Sequence, residues 1–119
     1  MKELKIVMPD ERPMSANKIK GAHWAVSNKY KKACYLALRQ ALTMEESQFT
    51  ELVDIHITAY FDNKPQDGDN IHVKYYIDAL RYYGLIADDD RRHVRWSASR
   101  AETDASDPRV EVLITAVGD

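Results

Sequence analysis

A chain of 119 residues, 45% of them hydrophobic, has the length and composition of one globular domain spanning 1–119, able to build a core without disulfides; its single cysteine, Cys34, has no intrachain partner. The opening MKELKIVMPDERP lacks the apolar stretch of a secretory signal, and no later segment approaches the roughly 18 apolar residues of a membrane span, so a cytoplasmic protein with no membrane partner is expected. The net charge of -2 argues against a polyanionic partner only until its distribution along the chain is considered.

In chain order, LKIVM (4–8) predicts a short strand ended by Pro9. DERPMSANKIKGAHW carries the Pro, Ser, Asn and Gly of a loop, and a long basic loop is a candidate binding element. SNKYKKACYLALRQAL (27–42) predicts a helix with Ser27 as N-cap and Tyr30, Ala33, Cys34, Ala37, Leu38 and Ala41 on its apolar face. Lys29, Lys31 and Lys32 would then fall in its first turns, against the helix dipole, which points to a functional reason for them. From Arg12 to Met44 there is no Asp or Glu, and Arg12, Lys18, Lys20, Lys29, Lys31, Lys32 and Arg39 give the segment a charge of +7.

ELVDIHITAYF (51–61) alternates, with Val53, Ile55, Ile57 and Ala59 on one side and Asp54, His56, Thr58 and Tyr60 on the other, as a half-buried strand does. After the turn-rich DNKPQDGDN, a second helix is expected from Asn70 to Tyr83, with Val73, Tyr76, Ile77, Leu80 and Tyr83 as its buried stripe and Gly84 at its end. RHVRWSASR (92–100) and RVEVLITAV (109–117) complete the elements as strands, with Val94, Trp96 and Ala98 alternating against His93, Arg95, Ser97 and Ser99. The order β-α-β-α-β-β predicts an α+β fold, a mixed sheet of about four strands packed by two main helices.

The acids gather at Asp67, Asp69, Asp78, Asp88, Asp89 and Asp90. Beside a basic surface, they suit a protein that holds a polyanion and sets metal ions against it; the alternative is a solvated helix face followed by acidic loops. Asp67 and Asp69 can share a metal if the chain bends at Gly68, with Asn70 adding a carbonyl or orienting a carboxylate. Equally, Asp69 can cap the helix and Asp67 can favour its positive end. A helix of about 14 residues is roughly 21 Å long. Five extended residues, 85–89, return at most about 17 Å, so Asp89 reaches Asp69 within one subunit only if the chain reverses at Gly84; otherwise the clusters meet across a dimer. Asp88 and Asp90 would turn away from the side that Asp89 faces.

The whole run DGDNIHVKYYIDALRYYGLIADDDRRHV (67–94) resembles the RusA-like family of Holliday junction resolvases, small endonucleases common in phages and prophages. The family pattern of D-x-D-N, a lysine, D-A-L or D-G-L, a glycine with two apolar residues and a D-D pair is matched by Asp67, Asp69 and Asn70, Lys74, Asp78-Ala79-Leu80, Gly84-Leu85-Ile86 and Asp88-Asp89. More loosely, VDIHITAYF, SANKIKGAHWAVSNKYKKA and RVEVLITAVGD resemble the family's preceding strand, basic loop and helix, and closing strand. The resemblance implies a homodimer that resolves four-way DNA junctions by paired nicks in recombination and repair. It implies Asp67, Asp69 and Asp89 as catalytic ligands of Mg2+, with Mn2+ as a substitute, Lys74 near the scissile phosphate, and Asn70 and Asp88 in support. The family lysine stands three residues after the asparagine, whereas Lys74 stands four after Asn70.

On that reading Lys18, Lys20, Lys29, Lys31 and Lys32 grip DNA phosphates, and Trp24 or Tyr30 stacks near the crossover. Three other readings remain: a catalytically silent relative that binds branched DNA, an interaction protein using Tyr75, Tyr76, Tyr82 and Tyr83, and a zinc site pairing His72 with Asp69 or His93 with Asp89.

Overall fold

Alternating burial in the strands sets the architecture. The computed structural model describes residues 2–42, 48–62 and 71–118. Its elements are β1 (Glu3–Pro9), α1 (Ala16–Lys20), α2 (Trp24–Ala41), β2 (Val53–Phe61), α3 (Lys74–Tyr82), β3 (Val94–Thr103) and β4 (Arg109–Ala116). The strands form one sheet in the order β1-β4-β2-β3, antiparallel except for the β2–β3 pair, so the expected α+β fold with a mixed four-stranded sheet is what the chain adopts.

Val53, Ile55, Ile57 and Ala59 of β2 are buried, as are Val110, Val112 and Ile114 of β4 and Ile6 and Met8 of β1. Strand residues two apart share a face, so these side chains make one apolar surface. Against it lie Tyr30, Cys34 and Leu38 of α2 and Tyr76, Ala79 and Leu80 of α3, all in a single core cluster. Truncating one of the larger of these to alanine would cost about 2–5 kcal/mol. The opposite face is polar, with Lys5 and Arg109 both paired to Glu111, at 3.1 Å and 2.7 Å.

Four elements differ from the sequence expectation. A short helix, α1, forms inside the expected loop, because the Ser15 hydroxyl accepts a hydrogen bond from the Lys18 N–H (3.1 Å). α2 begins at Trp24 rather than near Ser27, because His23 Nδ1 takes the cap by accepting from the Ala25 N–H (3.2 Å). Lys29, Lys31 and Lys32 therefore sit beyond the first turn, and the dipole argument for them lapses. α3 begins at Lys74 after a Val73 N-cap, four residues later than expected, so Asp69 is not the cap. β3 is an edge strand whose alternation does not bury one side: Trp96 remains 45% exposed.

Candidate functional site

Asp67, Asp69 and Asn70 lie outside the described residues, as does the Gly68 bend. The chain leading from them into α3 is held at two points: Ile71 bridges to Ser15, and the His72 N–H donates to the Met14 carbonyl (2.8 Å). The Tyr30 hydroxyl accepts from the Met14 N–H (3.2 Å) and donates to the His72 carbonyl (3.0 Å). One phenol on α2 thus ties the segment entering α3 to the loop before α1. Burial holds that phenol above its ordinary pKa, so it stays a neutral donor. Tyr30 is buried in this role and not exposed as a stacking residue.

Below it, the fully buried Tyr76 donates its hydroxyl to Glu11 (2.9 Å), and Cys34 lies between the two tyrosines. Burial pushes the Cys34 thiol up to about 12. It raises the Glu11 carboxyl as well, against the lowering effect of the Tyr76 hydrogen bond. These contacts lock α3 against α2 from its first turn.

Lys74 is the exposed first residue of α3. Residues 71–73 are not helical, so the extra residue before Lys74 falls outside the helix and does not rotate the helical face. Burial first, and the Lys74 charge second, hold the His72 imidazole below its ordinary value. The His72 Nδ1 is buried without a hydrogen-bond partner among the described residues, and its ring lies 4.6 Å from that of Tyr75.

α3 has nine residues and is about 14 Å long, shorter than the helix expected from the sequence. Gly84, at φ 79, reverses the chain, with the Gly84 N–H donating to Arg81 O (3.0 Å) and the Leu85 N–H to Leu80 O (2.9 Å). The chain therefore turns at Gly84, as the sequence expectation asked. The turn carries Asp88 and Asp89 back to the last turn of α3, where the Arg81 guanidinium stands 3.8 Å from Asp88 and 3.7 Å from Asp89. The Asp89 side chain is 38% exposed, and its N–H donates to the Asp88 carboxylate (2.7 Å).

Asp90 is different. It accepts from the Arg92 N–H (3.1 Å) and lies 2.7 Å from His93 Nδ1, which lowers its pKa and marks it as a turn residue. His93 is thus engaged by Asp90 and not by Asp89, as the zinc reading supposed. Among the described residues, no three His, Cys, Asp or Glu side chains gather to hold a metal. The described carboxylates Asp88 and Asp89 are oxygen donors of the kind that suit a hard divalent ion, and the soft donor Cys34 is buried in the core.

All the proposed phosphate-contacting side chains, Lys18, Lys20, Lys29, Lys31 and Lys32, are exposed, and Trp24 is 72% exposed at the start of α2. The sequence alone suggests no role for Arg81 or for Tyr35, and offers Tyr82 and Tyr83 only as part of an interaction surface. Arg81 stands in the sequence as a basic residue seven or eight positions before the acid pair, but only the turn at Gly84 shows that they meet. Among the described residues, no helix is long and apolar enough to cross a membrane. No family model matches the chain, and no curated protein matches it.

Proposed function

We propose that the chain is a Mg2+-dependent, structure-selective endonuclease of the RusA-like kind, acting as a homodimer on four-way DNA junctions. The observation that carries this reading is the turn at Gly84, which sets the Asp88-Asp89 pair beside Arg81 on the last turn of the helix that the Asp67-Asp69 pair precedes in sequence. The exposed, acid-free surface of α1 and α2 supports it from the other side, as a cationic platform for phosphates.

In this proposal Asp67, Asp69 and Asp89 hold the ion, and Asn70 and Asp88 orient the carboxylates. The ion supplies charge neutralisation at the phosphate and activation of a water. Lys74, exposed at the positive end of α3, offers its ammonium to the scissile phosphate. Arg81 keeps the Asp88-Asp89 pair from repelling itself when no divalent ion is near. Lys18, Lys20, Lys29, Lys31 and Lys32 contact the backbone, and the exposed Trp24 meets bases at the branch. Paired nicks at symmetric positions require two sites related by a two-fold axis, hence the dimer.

Mn2+ titration followed by electron paramagnetic resonance tests the ligand assignment. Wild type is expected to bind the ion, with Asp89→Asn weakened about tenfold or more; equal binding by the two would remove Asp89 from the site. Junction binding without cleavage by wild type would instead favour the silent relative.

A further inference from the structure

Between α2 and α3 lies a groove of about 380 Å3. Its walls are Lys31, Lys32, Tyr35 and Leu36 of α2 and Tyr82 and Tyr83 beyond them. Two of these apolar groups face solvent: Tyr82 is 71% exposed and Leu36 54%. The aromatic rings form a cluster, with Tyr35 and Tyr82 at 5.4 Å and Tyr82 and Tyr83 at 5.1 Å. The Lys31 ammonium lies 5.7 Å from the Tyr35 ring centre. The Tyr83 hydroxyl donates to the Tyr35 carbonyl (3.1 Å), which fixes the floor of the groove to α2.

The sequence extends this patch along α2. Trp24, Asn28, Lys31, Lys32 and Tyr35 fall within about 100° of helix circumference, so the exposed Trp24, Lys31 and Lys32 and the half-buried Tyr35 make one stripe about 16 Å long. Flat, exposed rings beside ammonium groups on an acid-free helix complement a ligand with flat faces and regularly spaced negative charges. A second copy of this chain offers tyrosines but brings the same lysines, which would repel across a two-fold axis.

We propose that this groove binds a single-stranded segment of nucleic acid, with a base stacked on Tyr82 and Tyr35 and the flanking phosphates held by Lys31 and Lys32. The inference rests on nucleic acid being the ligand of this chain, and adds that an unpaired strand is held on the α2–α3 face. Stacking tolerates any base, so the groove selects strand state and not sequence.

Fluorescence anisotropy with labelled oligothymidylate, in EDTA so that no cleavage intervenes, tests it. Tyr82→Ala is expected to weaken binding about fivefold or more, while Tyr82→Phe stays within about twofold of wild type. An abasic oligomer of equal length should bind wild type as weakly as oligothymidylate binds Tyr82→Ala. Replacing Lys31 and Lys32 together by Gln should reduce the salt slope by about 1.4. Circular dichroism checks that each variant is folded. The proposal is overturned if Tyr82→Ala binds oligothymidylate like wild type, or if wild type binds the abasic oligomer equally well. It is also overturned if sedimentation shows that Tyr82→Ala splits a wild-type dimer without changing affinity for the oligomer. If wild type binds an intact junction and these single-strand effects are missing, only this inference fails. If it binds no nucleic acid at all, the nuclease reading fails with it.

Discussion

Arg81 and Asp89, eight residues apart and on opposite sides of a chain reversal, stand 3.7 Å from each other, with Asp88 at 3.8 Å from the same guanidinium. Both carboxylates and the guanidinium are partly exposed, so this ion pair contributes little to folding, at most about 1 kcal/mol. Its consequence lies in metal affinity, because a divalent ion at Asp89 must compete with Arg81. Arg81→Gln is expected to leave the urea midpoint nearly unchanged and to tighten Mg2+ binding by up to about fivefold, on the order of 1 kcal/mol. Isothermal titration of the two proteins with MgCl2 measures it; weaker binding by the variant would mean that Arg81 supports the site and does not compete with the ion.

The reversal itself depends on a left-handed residue. Gly84 has φ 79, and a Cβ added there would meet only the Gln48 side-chain amide at 3.8 Å, so the cost of Gly84→Ala is backbone strain and not a clash. A loss of about 1–2 kcal/mol is expected in urea unfolding. An unchanged stability would show that the helix ends by another conformation in solution.

Tyr30 joins three segments through its hydroxyl. Tyr30→Phe keeps the ring packing but leaves the Met14 N–H and the His72 carbonyl without that partner. A loss of about 1–3 kcal/mol is expected. Amide exchange at Met14 should accelerate as well, which a purely global destabilisation would not confine to this residue.

Glu11 makes stability depend on pH. Burial raises its carboxyl above the ordinary 4.5, against the Tyr76 hydrogen bond, so the folded chain holds this proton more tightly than the unfolded chain. Its contribution is therefore fully present below 4.5 and lost as pH rises through the folded value. Asp90 and Asp104, lowered chiefly by hydrogen bonds to His93 and Arg109 respectively, act in the opposite sense, so the difference between wild type and Glu11→Gln is the informative quantity. The variant should gain stability relative to wild type between pH 4 and 7, by urea midpoints. A constant difference across that range would contradict the assignment.

Strand periodicity makes much of the sheet legible in the sequence, because β2 and β4 bury one face each and alternation encodes that directly. It misleads at β3, where an edge position leaves Trp96 exposed despite an alternating sequence. The helix starts differ from expectation because His23 and Val73 are weak statistical caps, whereas Ser27 and Asp69 are strong ones. His23 caps α2 by its own local bond to the Ala25 N–H, and the ties of Ile71 to Ser15 and His72 to Met14 hold the chain out of α3 until Val73. The turn at Gly84 that sets the Asp88-Asp89 pair against the last turn of α3 is legible in the glycine itself. The partner of that pair, Arg81, is not, since pairing across a turn has no fixed spacing in sequence.

Cleavage of a synthetic four-way junction tests most directly whether this chain cuts branched DNA with its aspartates. Purified wild type with Mg2+ is expected to nick the junction in two strands of like polarity at symmetric positions and to leave linear duplex intact, while Asp69→Asn and Asp89→Asn bind the junction without cutting it. Equal cleavage by wild type and Asp69→Asn, or no cleavage by wild type with Mg2+ or Mn2+ across neutral and alkaline pH, would contradict it.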